Sequence, residues 1–451
     1  MKKRIVILGG GESGTGAALL AKAKGFDVFL SDLSVIRPDY KRELEEQGIL
    51  YEEGTHTETL ILTADEVVKS PGIPDKAEMV KMIQKKGIPI VSEIEFGFRY
   101  AQGRIIAVTG SNGKTTTTSL IYHILREAGY NVGLGGNIGE SFAKKAIDNP
   151  YDYWVLELSS FQLDHCFQFK PSVAVMTNIT PDHLDRYQYN FQLYIDSKFR
   201  IVQAQDEQDA FIVFTDNEPI VSELPKRTIP SQLFSISLSK KPKEGAWFDR
   251  KSLVFALEGE ELEISAELLK IKGKHNYINA MAAVLACLKI GLNKKQILSG
   301  LISFLPVEHR LEYVNTIGEV EFINDSKATN VDSVFYALDS IETPVVLIAG
   351  GVDKGNDYTQ IEALVKEKVR ALVCLGKDNS KLVSFFFGKI ETIVETDSMD
   401  AAVETAFRLT KPKDTVLLSP ACASFDLFQN YEDRGRQFKQ QVTSLKSMHL
   451  N

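Results

Sequence analysis

Apolar residues fall along this chain in short runs, separated by longer segments in which they recur every three or four positions. The runs are rich in Val, Ile and Leu. They cover 4–8, 27–30, 66–69 and 90–91 early in the chain, then 104–108, 153–158, 173–176 and 210–214, and finally 320–323, 345–348, 371–375 and 416–418. Continuous apolar runs predict strands buried on both faces, and the amphipathic segments between them, such as 17–24, predict crossover helices. The chain therefore reads as α/β with parallel sheets. Over 233–264 the texture changes to shorter alternating pieces, LFSISLS, SLVFALE and LEISAELL, which predict antiparallel hairpins. An Ala-rich helix is expected from 275 to 288.

Breaks in this pattern near 92–98 and near Phe304 to Pro306 divide the chain into three units, 1–94, 95–303 and 304–451. The length of 451 residues agrees with that number at about 150 residues per domain. Composition is ordinary for globular domains, 44% hydrophobic and 25% charged. With 52 Lys plus Arg against 60 Asp plus Glu, the net charge of -8 opposes broad binding to nucleic acid or anionic lipid. It leaves room for a local phosphate pocket. The four cysteines, Cys166, Cys287, Cys374 and Cys422, form no CxxC pair, so reduced thiols are expected in place of a disulfide scaffold or zinc knuckle. The basic start MKKR is followed by only a four-residue apolar run, and no 18-residue apolar stretch occurs. A soluble cytoplasmic protein without signal peptide or membrane span is expected.

Two loops carry nucleotide chemistry. Gly9-Gly10-Gly11-Glu12-Ser13-Gly14 satisfies GxGxxG between a strand and a helix, and Asp32 ends the next strand. Such a turn aims backbone N–H groups and a helix N-terminus at a pyrophosphate without naming the nucleotide. The second loop is Thr109-Gly110-Ser111-Asn112-Gly113-Lys114-Thr115-Thr116, a shortened P-loop, with Val108 where GxxxxGK[ST] has its first glycine. Its backbone amides would wrap phosphates, Lys114 would face the β/γ position and the Thr115 hydroxyl would face Mg²⁺. Glu157 ends a buried strand, where a carboxylate is costly unless it meets a cation or a hydrogen-bond donor. Residues 177–185 form a polar loop at another strand end, with His183 as either a metal ligand or a capping histidine. By spacing alone Lys198 is a solvated helix lysine. The segment 273–280 opens a helix with His275 and Asn276, which would bind a base or phosphate, or cap the helix.

Taken together these residues resemble a family. Residues 109–116, Glu157-Leu158-Ser159-Ser160-Phe161-Gln162, Asn178 to His183, His275 to Asn279, and His309-Arg310 are similar to the motifs of the ATP-dependent Mur ligases. In the third segment, 324–330 and 418–426 look like those of the member that adds D-glutamate. The resemblance runs the whole length of the chain. It implies three domains: a Rossmann-like N-terminal domain for a UDP substrate, a central P-loop ATPase-type parallel sheet with a small antiparallel part, and a Rossmann-like C-terminal domain for the amino acid. The implied activity is ATP-dependent ligation of D-glutamate to UDP-N-acetylmuramoyl-L-alanine through an acyl phosphate, in the cytoplasmic stage of bacterial peptidoglycan synthesis. The chain would act as a monomer.

The resemblance also assigns residues. It gives the first glycine loop to uridine nucleotide, with Glu12, Ser13, Asp32 and Gly72 in contact and Asn137, Ser159 and Gln162 helping to hold the substrate. Leu33 and Ser34 replace the Thr-Arg that often follows Asp32 in the family. ATP would be held by Gly110, Ser111, Asn112, Gly113, Lys114, Thr115 and Thr116 with Asn279, Arg310 and Asp325. Mg²⁺ would meet Thr115, Glu157, His183 and a carbamate formed on Lys198 from CO₂. Lys114, Glu157, His183 and Lys198 are thus the catalytic set. D-Glutamate would be held by Lys327, Thr329, Lys354, Ser424, Phe425 and Tyr431, of which Phe425 and Tyr431 stand where Leu and Phe are expected. Closure of domains on substrate is expected. Two other readings would leave parts of the chain unused. An NAD-dependent oxidoreductase would ignore the P-loop and the third segment, and a nucleotide switch would hydrolyse without an acceptor. Ligases of the same fold that use another amino acid remain a closer alternative.

Overall fold

Each apolar run becomes a strand with two buried faces. In the computed structural model, which describes residues 2–148, 151–305 and 308–449, the first sheet contains β1 (Arg4–Leu8), β2 (Asp27–Asp32), β3 (Leu50–Glu53), β4 (Glu66–Lys69) and β5 (Ile90–Ser92). Its order is β3-β2-β1-β4-β5, and every pair is parallel. Alternate side chains of β1 enter different cores: Ile5 and Ile7 pack with Ala17, Leu20 and Leu30, whereas Val6 and Leu8 pack with Phe29, Val67 and Ile83. Pro306, at the expected start of the third segment, lies outside the described residues.

The second sheet takes β6 (Arg104–Thr109), β7 (Val132–Gly136), β8 (Tyr153–Glu157), β9 (Val173–Met176), β10 (Ala210–Phe214), β11 (Gln232–Ser237), β12 (Gly245–Asp249), β13 (Ser252–Leu257) and β14 (Glu260–Ser265). Its order is β14-β13-β12-β11-β10-β9-β6-β8-β7. The antiparallel part is smaller than the sequence pattern suggests. LFSISLS becomes β11, which is parallel to both β10 and β12, and only the β12-β13-β14 meander is antiparallel. Alternation reports which face of a strand is buried and is blind to strand direction. The third sheet takes β15 (Glu312–Ile317), β16 (Val320–Asn324), β17 (Val345–Gly350), β18 (Val369–Leu375), β19 (Thr392–Thr396) and β20 (Thr415–Ala421), in the order β15-β16-β20-β17-β18-β19. Only β15 runs antiparallel to its neighbour.

These sheets belong to two compact units. The first and second sheets share one, up to Leu269 and over Tyr277–Phe304; Lys270–Asn276 joins the chain from Leu305 onward in the other. All four cysteines are free and buried. Among the described residues, no helix is long and apolar enough to cross a membrane.

The short helix Glu93–Phe98 leads from the first sheet towards the second, and its two glutamates fix it there. Ser92 caps it by accepting from the Glu95 N–H at 3.2 Å. The Glu95 carboxylate accepts the backbone N–H groups of Phe167, Gln168 and Phe169 at 2.9–3.1 Å. Glu93 Oε1 accepts from Ser141 Oγ at 2.6 Å and from the Ala143 N–H at 2.7 Å, while Oε2 is buried without a hydrogen-bond partner. Burial, more than the nearby Glu12, raises the Glu93 carboxyl to about 7 from an ordinary 4.5. A carboxyl raised on folding favours the folded state while it is protonated. Its stabilising contribution is complete below pH 4.5 and lost above about 7. Glu93→Gln, neutral at every pH, should therefore gain stability relative to the wild type as pH rises from 5 to 8, by at most about a few kcal/mol, and its melting temperature should rise relative to the wild type over that range. Thermal unfolding of both proteins across that range checks this, and a difference that ignores pH would refute it.

Candidate active site

The P-loop joins β6 to the helix Lys114–Glu127. Val108, which breaks the usual motif spacing, is fully buried in β6 and paired with Glu157 and Val175, so the loop begins two residues later, at Gly110. Gly110 and Gly113 have φ of +145° and +80°. A Cβ on Gly110 would lie 2.0 Å from Thr177 Oγ1, and one on Gly113 2.3 Å from Asn279 Oδ1. The loop after β9 braces this turn. Asn178 accepts from the Ser111 N–H through its carbonyl and from the Asn112 N–H through Oδ1, both at 2.9 Å, and returns Nδ2 to the Asn112 carbonyl at 3.1 Å. Ser111 Oγ donates to the Thr180 carbonyl at 2.9 Å and lies 3.1 Å from the Tyr194 hydroxyl. Thr115 and Thr116 are buried in the first helical turn. Asn279, from the helix Lys274–Lys289, accepts from Thr117 Oγ1 at 3.3 Å. A rigid loop at a helix N-terminus with a lysine beside it is suited to a polyphosphate.

Two lysines converge on one oxygen of that loop. Lys114 Nζ donates to the carbonyls of Gly110 and Ser111 at 2.8 Å, and Lys198 Nζ donates to the same Gly110 carbonyl at 2.7 Å. Lys198 is 1% exposed, on the helix Phe191–Phe199, with its amine 4.6 Å from the centroid of the Tyr194 ring. The solvated lysine expected from spacing is therefore corrected: that face of the helix is covered. Burial first, and then Lys114, push the Lys198 amine well below the usual lysine range, against the opposing pull of Asp182, Asp164 and Glu157.

Glu157 ends β8 and is 1% exposed. Its Oε1 accepts from Asn137 Nδ2 at 2.9 Å, and its carbonyl accepts from the Asn137 N–H at 2.7 Å. His183 stands at φ +53° before the turn Leu184–Tyr187, with its ring 5.1 Å from that of Phe161 and 3.7 Å from the Asp182 carboxylate. Among the described residues no group of three or more His, Cys, Asp or Glu side chains forms a metal cage. A buried carboxylate and a threonine hydroxyl beside a phosphate cradle instead fit Mg²⁺, which keeps water and takes one or two carboxylates together with substrate phosphates.

The first glycine loop lies in the same unit. A Cβ on Gly14 would lie 1.8 Å from the Gly9 carbonyl, so the turn closes on itself without side chains before the helix Glu12–Ala23, whose first turn holds Ser13. Asp32 accepts from the Gly10 N–H at 2.6 Å and the Ser34 N–H at 2.7 Å, shaping the loop. Glu12 accepts from the Ser141 N–H at 2.8 Å and the Tyr40 hydroxyl at 3.0 Å. Ser159 caps the helix Ser160–Leu163 in a capping box with Gln162. Gly72 offers its carbonyl to Arg186 at 3.1 Å.

In the other unit a buried arginine organises the third-sheet motifs. Arg434, on the helix Tyr431–His449, donates to Ser326 Oγ at 3.0 Å, the Ser326 carbonyl at 2.9 Å and the Cys422 carbonyl at 3.2 Å. Burial draws its guanidinium down to about 10. Ser326 Oγ in turn donates to the Tyr431 carbonyl at 2.8 Å, and Lys327 Nζ sits 5.0 Å from the Tyr431 ring centroid. The Thr329 N–H donates to the Lys327 carbonyl at 2.9 Å. Asp325 accepts from Ser419 Oγ at 2.9 Å and the Leu311 N–H at 3.3 Å. Burial raises its carboxyl to about 7, with Ser419 and then Arg310 opposing. Val352 and Ala423 exchange backbone hydrogen bonds, which brings the loop of the exposed Lys354 beside the buried Ser424 and the exposed Phe425. His275 belongs to this unit, its ring 5.8 Å from that of Tyr336.

Sequence reasoning passed over Arg434, because an arginine in a polar helix carries no mark of burial. Arg434→Met would leave the Ser326 and Cys422 carbonyls without these donors. The denaturant midpoint should fall, at a cost of about 2–4 kcal/mol. An unchanged midpoint would show that the guanidinium ties nothing together.

Three domain families match the chain: Mur ligase MurD-like, N-terminal domain over residues 3–92; Mur ligase middle domain over 108–287; and Mur ligase, glutamate ligase domain over 309–422. A relative from Cytophaga hutchinsonii is 53% identical over 448 residues, covering 99% of this chain and 100% of that one. Another from Christiangramia forsetii is 52% identical over 445 residues, again covering 99% and 100%. Both are named UDP-N-acetylmuramoylalanine--D-glutamate ligase. Among solved structures, a pseudomurein peptide ligase type C from Methanothermus fervidus aligns with a TM-score of 0.62 at 21% identity, covering 98% of this chain and all of that one. The UDP-N-acetylmuramate-alanine ligase of Thermotoga maritima aligns with the same score at 18% identity, covering 99% and 100%. At these identities the two structures speak for the fold.

Proposed function

The chain belongs to the Mur ligase family, and from that premise we propose that it joins D-glutamate to UDP-N-acetylmuramoyl-L-alanine with hydrolysis of ATP to ADP and phosphate. The observation that carries this reading is full-length identity above 50% to relatives named for that reaction. On this reading the chain acts in the cytoplasmic stage of bacterial peptidoglycan synthesis.

In this reading the free carboxylate of the alanyl group takes the γ-phosphoryl of ATP, giving an acyl phosphate and ADP. The amine of D-glutamate then attacks the acyl carbon, a tetrahedral intermediate collapses, and phosphate leaves as the amide forms. Phosphoryl transfer is chiefly positioning and charge neutralisation. The residues from Gly110 to Thr116 would hold the phosphates through backbone N–H groups, with Lys114 supplying positive charge. Asn279, Arg310 and Asp325 would complete the ATP site. Bound Mg²⁺ would neutralise phosphate charge, held by Thr115, Glu157 and His183. The first glycine loop, with Glu12, Ser13, Asp32 and Gly72, would take the uridine nucleotide, and Asn137, Ser159 and Gln162 would steady the rest of that substrate. Lys327, Thr329, Lys354, Ser424, Phe425 and Tyr431 would hold D-glutamate, whose two carboxylates call for cations and hydroxyls. The dry surroundings of Lys198 favour its uncharged amine, which is the form that adds CO₂ to give a carbamate.

Phosphate release from ATP with Mg²⁺ and UDP-N-acetylmuramoyl-L-alanine should depend on D-glutamate, and the uridine product should gain the mass of one glutamyl residue. Release that follows a different amino acid would move the chain to another ligase of this fold. Release that ignores every acceptor would leave a nucleotide hydrolase. For the carbamate, Lys198→Ala should lose most activity and recover part of it with added short carboxylates. Full activity in that variant would refute a role for Lys198.

A further inference from the structure

We infer that Arg186 is a positioning residue, tying the turn at Pro71 and Gly72 to the His183 loop and so setting the span between the nucleotide-holding and reacting ends of the substrate. The inference rests on the reading above, in which the first glycine loop takes uridine nucleotide and the His183 loop faces the reaction.

The turn at Pro71 and Gly72 follows β4 and packs on that glycine loop. Ser70 Oγ donates to the Gly9 carbonyl at 3.3 Å, and a Cβ on Gly9 would lie 2.7 Å from Ser70 Oγ. Arg186 lies 115 residues beyond Pro71, in the turn Leu184–Tyr187 of the second sheet's chain. Its Nη1 donates to the Gly72 carbonyl and its Nη2 to the Pro71 carbonyl, both at 3.1 Å. The guanidinium carbon sits 4.4 Å from the centroid of Phe161. That same ring meets His183 edge-on at 5.1 Å and stacks on Tyr187 at 5.9 Å. One planar cation thus touches the nucleotide-side turn with its edge and, through Phe161, the support of His183 with its face.

The backbone around Arg186 explains why such a tie is needed. His183, Gln188 and Tyr189 all have φ between +53° and +56°, a left-handed conformation that is costly for residues other than glycine. A loop in that state persists only where side-chain contacts hold it. Tyr187 supplies one set, through its hydroxyl to Asp164 at 2.9 Å and Ser197 at 3.2 Å. Arg186 supplies the other and is the member of the pair that reaches the first sheet. Lysine could keep the charge and donate from its single nitrogen, but could not present N–H groups from two nitrogens in a fixed planar fork.

A direct ligand of the nucleotide and a tie between two loops differ in what their loss does. Arg186→Ala should leave the affinity for UDP alone within about twofold, because that ligand needs only the first sheet's loops. It should lower kcat for ligation by about tenfold or more, since small displacements of a reacting group are costly. Arg186→Lys should recover part of that loss. Hydrogen exchange, which requires no turnover, should rise in Arg186→Ala over 72–73 and 183–189 together. Unchanged exchange in both segments, an unchanged kcat, or a fall in UDP affinity matching that for the full substrate would each overturn the inference. Wild-type protein that exchanges as expected but ligates no D-glutamate would overturn the functional reading and leave the tie standing.

Discussion

A carboxylate taken out of water must be met by donors, and the helix Glu93–Phe98 uses two such groups to join sheets that are separate in sequence. Glu95 is satisfied by three consecutive backbone N–H groups, a nest that only an acceptor of its charge would fill so well. Glu93 grips the Ser141 hydroxyl, while Glu12 takes the Ser141 N–H from the opposite side. These contacts tie the first glycine loop's helix and the Glu93–Phe98 helix to segments of the second sheet's chain, at Ser141, Ala143 and Phe167–Phe169.

Sites on this scaffold are made by loops at strand ends, and the strands need only be stiff. β1 and β6 are buried through most of their length, and each hands the chain to a glycine turn and then to a helix. The loop after β9 adds the brace of Asn178, and the helix Phe191–Phe199 brings in Lys198. The third-sheet motifs obey the same logic with a different fastener, Arg434, whose donors reach carbonyls of both motif segments.

What the amino-acid pattern revealed follows from what a pattern can report. Strands buried on both faces announced themselves as apolar runs, as in β17 and β20. Of the strands that escaped notice, β3, β7, β15 and β19 lie at sheet edges, while β12 lies inside the second sheet, between the alternating pieces the pattern did mark. At the edges solvent reaches one side, so polar residues and glycines are tolerated and the run is diluted. Glycine loops were legible because their backbone geometry admits few substitutes. Lys198, Arg186 and Arg434 were not, because whether a basic side chain is buried or bonded across the fold is decided by distant segments. For Lys198 the resemblance to a family supplied what spacing could not.

The shared acceptor of Lys114 and Lys198 has a consequence for how this site can vary over generations. It is a main-chain oxygen, so no exchange of side chain at position 110 can delete it. Nor can the glycine itself change freely, since its φ is +145° and a Cβ would strike Thr177. Inheritance can therefore tune this knot of charge only from outside, through the lysines and the acids around them. The centre of the loop is closed to drift, and its rim can change only through side chains that the proposed chemistry itself uses.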